Sequence, residues 1–172
     1  MIPSAPVMTH QPVIDGLEFA RTGSKLQGEW PVSAFPRLRD SLHSDSGVLR
    51  YALAGVPEEQ GRPALRLKVE GVLQLACQRC LGALEFPLHL STSLQLLATQ
   101  EEMDAEPLRA EGPERIVAGR EMQVRELVED EVLLALPLAP RHEHCAGKPG
   151  EPDAAKPSPF AGLRQLVGDT KH

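Results

Sequence analysis

The chain has 172 residues, which is enough for one domain with a substantial core and too few for two full-sized domains. Aromatic residues make up only 3% of the sequence, so we expect a core built mainly of Leu and Val. The formal net charge of −6 argues against binding nucleic acid through the overall charge, because phosphate affinity is largely electrostatic. A local basic patch, or a basic partner protein, is compatible with this charge.

The compartment follows from the cysteines and the apolar pattern. The cysteine count of 3 is odd, and the first residues show neither a basic region nor a continuous apolar run, so secretion is not expected. No window approaches the ~18 apolar residues that a membrane-spanning helix needs. We therefore expect a soluble protein of a reducing compartment such as the cytoplasm, with no membrane contact, in which thiols stay free or bind metal. The oligomeric state stays open.

The first third of the chain predicts a loose arm followed by a short strand and a helix. Residues 1–14 contain three prolines and little pattern, which favours a disordered N-terminal arm. Residues 26–32 predict an extended segment anchored by Trp30. Ser33 then opens a predicted helix in which apolar residues recur at helical spacing.

The middle of the chain changes to the alternating pattern of β-strands. Residues 48–56 alternate in part, and the segment that begins at Leu65 alternates clearly, with Arg66 and Lys68 on its polar side. Gly71 is expected to form a β-bulge.

A second long strand is predicted after "CQRCLG", in "LEFPLHLSTSLQLLA". The two strands would form an antiparallel hairpin or a sheet corner, with the thiols at the tight connection. Pro87 indicates that the second strand lies at an edge or is bulged. Residues 100–114 are acidic and predict a mobile loop, and "RIV" after it predicts a short strand.

The segment "EMQVRELVEDEVLLALPL" predicts the longest helix, which should end before Pro137. Its outer face is expected to be anionic. Beyond it, residues 146–172 predict a Pro/Gly-rich tail with a short docking helix at about 160–167. The apolar stripe of the long helix consists of Val124, Leu127, Val128, Val132, Leu134 and Ala135, and its anionic face of Glu126, Glu129, Asp130 and Glu131.

These elements predict a single α+β domain over residues 15–145. We expect an antiparallel β-sheet or a partly open barrel, packed with one long helix and one or two short ones, and flexible termini.

The stretch "LACQRCLG" places Cys77 and Cys80 in C-x-x-C spacing, and "RHEHC" supplies a matching group of ligand types. Two thiolates from one tight turn can reach a single zinc ion, which takes four sulfur or nitrogen ligands in a tetrahedron. The pattern predicts a structural zinc site formed by Cys77, Cys80, His144 and Cys145, with His142 as the alternative ligand. The other interpretation is that the thiols of the C-x-x-C pack as small apolar groups.

Two further functions stay open on the residues alone. A small dithiol or metal-binding redox protein would use the C-x-x-C, although the following segment looks extended and lacks the helix N-terminus that activates such thiols. A pure protein-protein adaptor would use the terminal helix. Neither a phosphate-binding glycine motif nor a nucleophile motif occurs in the sequence, so no enzyme is predicted.

With these segments in place, the chain resembles the YceD-like family, the large ribosomal RNA subunit accumulation proteins of bacteria and plastids. Three blocks carry the resemblance: "CQRCLGAL" from Cys77, "LVEDEVLLALPLAPRHEHC" from Leu127, and "KPSPFAGLRQL" from Lys156. In the third block, Ser158 replaces the usual Asn. At the start of the long helix, Gln123 stands where the family commonly has an acidic or Asn cap.

The resemblance implies a ribosome biogenesis factor and not an enzyme, with a role in synthesis, processing or stability of large-subunit (23S) ribosomal RNA. The net charge implies that such a protein binds the ribosomal RNA precursor through a local basic patch, or binds a basic ribosomal protein through the acidic helix. We favour the second route. Arg66 and Lys68 share one face of a strand, and their basic character is explained if that face is simply the solvent-exposed side of a half-buried sheet. The residues predicted to bind a partner are Glu126, Glu129, Asp130, Arg66, Lys68 and Arg79.

Overall fold

A long three-stranded meander forms the centre of the molecule, in a computed structural model that describes residues 11–105 and 114–145. Strands and helices are both present, as expected for an α+β fold. Two 3₁₀ helices, Val32–Ala34 and Pro36–Ser41, precede the meander. The other elements are β1 (Val13–Ile14), α1 (Gly16–Arg21), β2 (Lys25–Pro31), β3 (Leu42–Ser44), β4 (Val48–Glu59), β5 (Arg62–Ala76), β6 (Ala83–Leu97), α2 (Gln100–Ala105), β7 (Glu114–Val117), β8 (Met122–Gln123) and α3 (Val124–Ala135).

The main sheet runs in the order β2-β4-β5-β6-β7, and β3 also pairs with β5. All pairings in it are antiparallel except that of β7, which joins the end of β6 in parallel. The described strands form an open sheet and not a barrel. Of the two predicted architectures, the sheet is therefore confirmed. Strands β1 and β8 form a separate two-stranded sheet at the start of α3.

The alternating pattern buries one face of the sheet. Leu67 and Val69 of β5 point into the core, while Arg66 and Lys68, which alternate with them, are exposed. Helices α1 and α3 and the second 3₁₀ helix cover the apolar face. Trp30 anchors this core as predicted: its ring stacks on Tyr51 with centroids 4.4 Å apart.

Close approaches of the backbone explain two glycines in the sheet. A Cβ at Gly55 would lie 2.1 Å from the carbonyl oxygen of Phe19, so α1 packs directly on the β4 backbone. Gly71 is no bulge, contrary to the prediction, because it pairs in register with Leu49 and Leu88. It is glycine because Leu49 fills the space where its side chain would be.

The hairpin of β5 and β6 is confirmed, with Ala76 opposite Ala83 across the C-x-x-C turn. Pro87 lies on the half of β6 that β7 does not reach, since the described β7 pairs only with Leu94–Leu97. The prediction that this proline marks an edge is therefore confirmed.

Several local predictions were wrong. The helix expected from Ser33 is two short 3₁₀ helices, because Pro36 begins the second one and breaks the pattern between them. Val13 and Ile14, placed in the disordered arm, pair with β8. The predicted mobile loop begins instead with the helix α2. Leu134, assigned to the buried stripe of α3, is 71% exposed.

Some predictions fall outside the described residues: the rest of the N-terminal arm, the remainder of the acidic loop before β7, and the tail with its helix at about 160–167. Among the helices that the structure describes, none is long and apolar enough to cross a membrane.

Candidate metal centre

The turn between β5 and β6 carries the first two thiols. The backbone N–H of Cys77 donates to the carbonyl of Gly82 (2.9 Å), and the N–H of Leu81 donates to the carbonyl of Cys77 (2.8 Å). Leu81 has φ of 59°, in the left-handed region. This tight closure directs the side chains of Cys77 and Cys80 to the same side, as metal-binding knuckles require.

The segment that follows α3 brings the other ligand types to this turn. The helix ends at Ala135, and the chain becomes extended at Leu136, which has ψ of 140°. The buried Pro140 then accepts a hydrogen bond from the backbone N–H of Gln78 (2.8 Å). This contact sets the residues after Pro140 against the C-x-x-C.

Four ligand atoms meet there, contributed by Cys77, Cys80, His142 and Cys145, and all lie within 4.8 Å of one another. The sulfurs of Cys77 and Cys145 are 3.8 Å apart, and the Cys80 sulfur lies 3.4 Å from Nδ1 of His142. A zinc ion with ideal bond lengths and tetrahedral angles would separate two sulfurs by about 3.8 Å, and a sulfur and a nitrogen by about 3.6 Å. The donor set and its spacing therefore fit zinc.

The backbone orients the imidazole of His142 for metal binding. Its Nε2 lies 2.9 Å from the carbonyl oxygen of Ala83, which can only accept a hydrogen bond. In a neutral imidazole the proton would then sit on Nε2, and the lone pair of Nδ1 would face the thiols. Second partners of this kind fix the tautomer of histidine ligands in metal sites.

The thiols differ strongly in acidity. Burial alone would raise the pKa of Cys77, but backbone N–H groups of Cys80, His142 and Arg79 favour its thiolate and lower the pKa to about 5. Burial raises the pKa of Cys145 to about 11, helped by the neighbouring sulfurs of Cys77 and Cys80. A cation at the centre would relieve this repulsion and let all three cysteines ionise.

The sequence predicted His144 as the histidine of this group, with His142 as the alternative. In the structure it is His142 that lies with the three cysteines. His144 is exposed and lies outside the four-residue group. The spacing of "RHEHC" could not decide between them, because the choice depends on the contact at Pro140 and on the carbonyl of Ala83.

The acidic residues of α3 are not the solvated face that was expected. Glu129 is 2% exposed and accepts from the backbone N–H (2.7 Å) and Nε (3.0 Å) of Arg37. Asp130 accepts a second hydrogen bond from the same guanidinium. Glu131 is buried as well, at 5% exposure, whereas Glu126 is exposed. The expectation of an exposed anionic face is therefore wrong for Glu129, which the second 3₁₀ helix reaches through Arg37, and for Glu131, which is buried near Glu114 of β7.

The basic residues proposed for a partner fall into two places. Arg66 and Lys68 lie on the open face of the sheet, where Arg66 pairs with Glu59 (3.0 Å). Arg79 lies in the C-x-x-C turn itself, where its side chain is exposed.

The described residues form a small α+β protein. Its open, mostly antiparallel sheet is covered by one long helix, and a Cys3His group lies where the segment after that helix meets a hairpin turn. Residues 65–167 match the family model described as "Large ribosomal RNA subunit accumulation protein YceD", and the chain belongs to this family. It is 29% identical over 163 residues to the protein of that name from Haemophilus influenzae, an alignment that covers 89% of this chain and 93% of the relative. No solved structure matches the chain.

Proposed function

We propose that this protein supports the accumulation of large-subunit ribosomal RNA in the bacterial cytoplasm, through synthesis, processing or stability of that RNA. The observation that carries the proposal is the family match over residues 65–167, together with a relative of that name aligned over nearly its full length. The protein would act without catalysis, by binding the RNA precursor or a basic ribosomal protein.

We further propose that Cys77, Cys80, His142 and Cys145 hold one structural zinc ion. Four protein ligands would close the coordination shell and leave no position for substrate, which is the arrangement of structural and not of catalytic zinc. The group supports a non-enzymatic role for this reason.

A dithiol oxidoreductase has less support. Its attacking thiolate must be accessible, yet Cys77, the thiol with the lowered pKa, is fully buried. The chain after Cys80 enters strand β6 and not a helix. The adaptor function would rest on the tail helix, which lies outside the described residues.

The function is tested in a bacterium that lacks its own YceD protein. Expression of this chain should restore the ratio of large-subunit to small-subunit ribosomal RNA, and precursor particles should cosediment with the protein. Failure to restore the ratio at a normal protein level would contradict the proposal.

The metal is tested by elemental analysis of protein purified without chelator. We expect one zinc ion per chain in the wild type, and its loss in Cys77→Ser and His142→Ala. His144→Ala is the matched control, because it removes the neighbouring histidine and should leave the zinc content unchanged. Full zinc retention in His142→Ala would contradict the ligand set.

A further inference from the structure

The C-x-x-C turn requires a left-handed backbone at Leu81, but it does not require a leucine side chain there. The Leu81 φ of 59° lies in the left-handed region, where a glycine would avoid the steric cost of a Cβ. Its side chain is 73% exposed, so burial in the core does not compensate for this cost. A strained backbone that presents an apolar side chain to solvent is expected where that side chain contacts a partner.

Two exposed arginines flank this leucine. Arg79 precedes it in the same turn, and Arg141 lies between Pro140 and His142, both of which contact the turn. Both arginines are exposed, and neither forms an ion pair within the described parts of the chain. By contrast, Arg50 and Arg66 of the sheet are each paired with a glutamate.

Leu81, Arg79 and Arg141 thus form a small surface, here called the knuckle tip. It combines one apolar group with two exposed guanidinium groups in a protein whose overall charge is −6. A guanidinium can bind a phosphate with two hydrogen bonds or stack on a base. An apolar side chain can cover the face of an unstacked base.

We infer that the knuckle tip binds single-stranded RNA, with Leu81 against a base and Arg79 and Arg141 on the backbone. The inference deepens the proposed function and rests on it for the identity of the nucleic acid. The tip is the end of a hairpin of two 15-residue strands and not a groove. It therefore offers a few points of contact, and not the ~800 Å² that each partner buries in a stable protein interface.

Leu81→Gly gives a sharp test, because glycine suits the left-handed backbone and removes only the side chain. The probe is a fluorescein-labelled single-stranded RNA from the large-subunit precursor, with the same sequence as a duplex for comparison. Fluorescence anisotropy of the zinc-loaded full chain should show that Leu81→Gly weakens single-strand binding at least about fivefold, as expected for loss of one base contact. Zinc content should match the wild type, and the Tm should be equal or higher.

The arginines are tested by the salt dependence of the same affinity. Arg79→Ala and Arg141→Ala should each lower the slope of log affinity against log salt by about 0.7, the value for one phosphate contact on a single strand. Lys25→Ala is the matched control, because Lys25 is an exposed cation at the start of β2 and belongs to no predicted binding surface. It should change neither the affinity nor the slope.

Wild-type affinity in Leu81→Gly, an equal loss in Lys25→Ala, or equal binding of the duplex would each overturn the assignment. So would a wild-type chain that restores ribosomal RNA in the deletion strain but binds only a ribosomal protein, a result that would leave the proposed function intact. Failure of the proposed function would instead appear as no restoration, whatever the affinity for the probe.

Discussion

Two neighbouring glutamates of α3 show how burial changes the role of an acid. Glu129 is compensated by two hydrogen bonds from Arg37. For Glu131, burial and the negative charges of Glu114 and Asp130 raise the pKa to about 7. Glu131 therefore binds a proton more tightly in the folded chain than in the unfolded chain, where its pKa is about 4.5. Its contribution to stability is complete below pH 4.5 and is lost as the pH rises through about 7.

Glu131→Gln should therefore stabilise the protein at pH 8 and much less at pH 5. Allowing for solvent screening of a group that is not fully enclosed, we expect a gain of about 1–2 kcal/mol at pH 8. Urea unfolding of the zinc-loaded protein at the two pH values measures it. Glu126→Gln, an exposed position on the same helix, should show no such difference. An equal effect of Glu131→Gln at both pH values would contradict the assigned pKa.

At the scale of elements, α3 lacks a capping side chain at its start. Gln123 occupies the N-cap position with extended backbone angles, and its side chain makes no capping hydrogen bond. Its neighbours compensate only in part, since the N–H of Val124 donates to the carbonyl of Pro12 (3.0 Å). The next N–H groups of the first turn remain available to a shorter polar side chain.

Gln123→Ser should supply that acceptor and stabilise the protein by about 1 kcal/mol, which corresponds to an increase in Tm of about 2–6 °C. Gln123→Ala is the control and should leave the Tm nearly unchanged, because the native glutamine does not cap. Differential scanning calorimetry measures both. Equal Tm values for the serine and alanine variants would show that the first turn gains nothing from a cap.

The elements with strong periodicity could be predicted from the sequence, and those defined by tertiary contacts could not. Alternation identified the β5–β6 hairpin with its cysteine turn, and helical spacing identified α3. Helix α1 was missed because its six residues carry no repeat, and its position depends on Gly55 in a distant strand. The burial of Glu129 was missed for a similar reason: Arg37 is 92 residues away in the chain. The convergence of Cys145 on the C-x-x-C was predicted from ligand types, but the choice of histidine needed the fold.

At the scale of the whole molecule, the Cys3His group lies where the segment after α3 meets the hairpin turn, and the apolar core lies elsewhere. Leu65, Leu67 and Val69 of β5 are fully buried without any contribution from the cysteine cluster. Removal of the proposed zinc ion should therefore release the ligand segments and leave the central sheet folded.

Hydrogen exchange followed by mass spectrometry, with and without a zinc chelator, measures this separation. Amides of residues 77–82 and 140–145 should exchange at least about tenfold faster after zinc removal, whereas those of residues 65–69 should keep their protection. A chelated wild type in which β5 exchanges as fast as the turn would show that the metal supports the entire fold.

The pairing of β1 with β8 connects a segment near the front of the chain to the start of α3. Val13 and Ile14 fix Gln123 and Met122, directly before the first turn of α3, and the 12 residues of that helix span about 18 Å. At the far end of the helix, the chain continues to His142 and Cys145. Removal of β1, or fusion of a bulky tag close to Val13, would therefore remove the contacts that fix the start of α3. We expect either change to displace His142 and Cys145 beyond the other end of the helix.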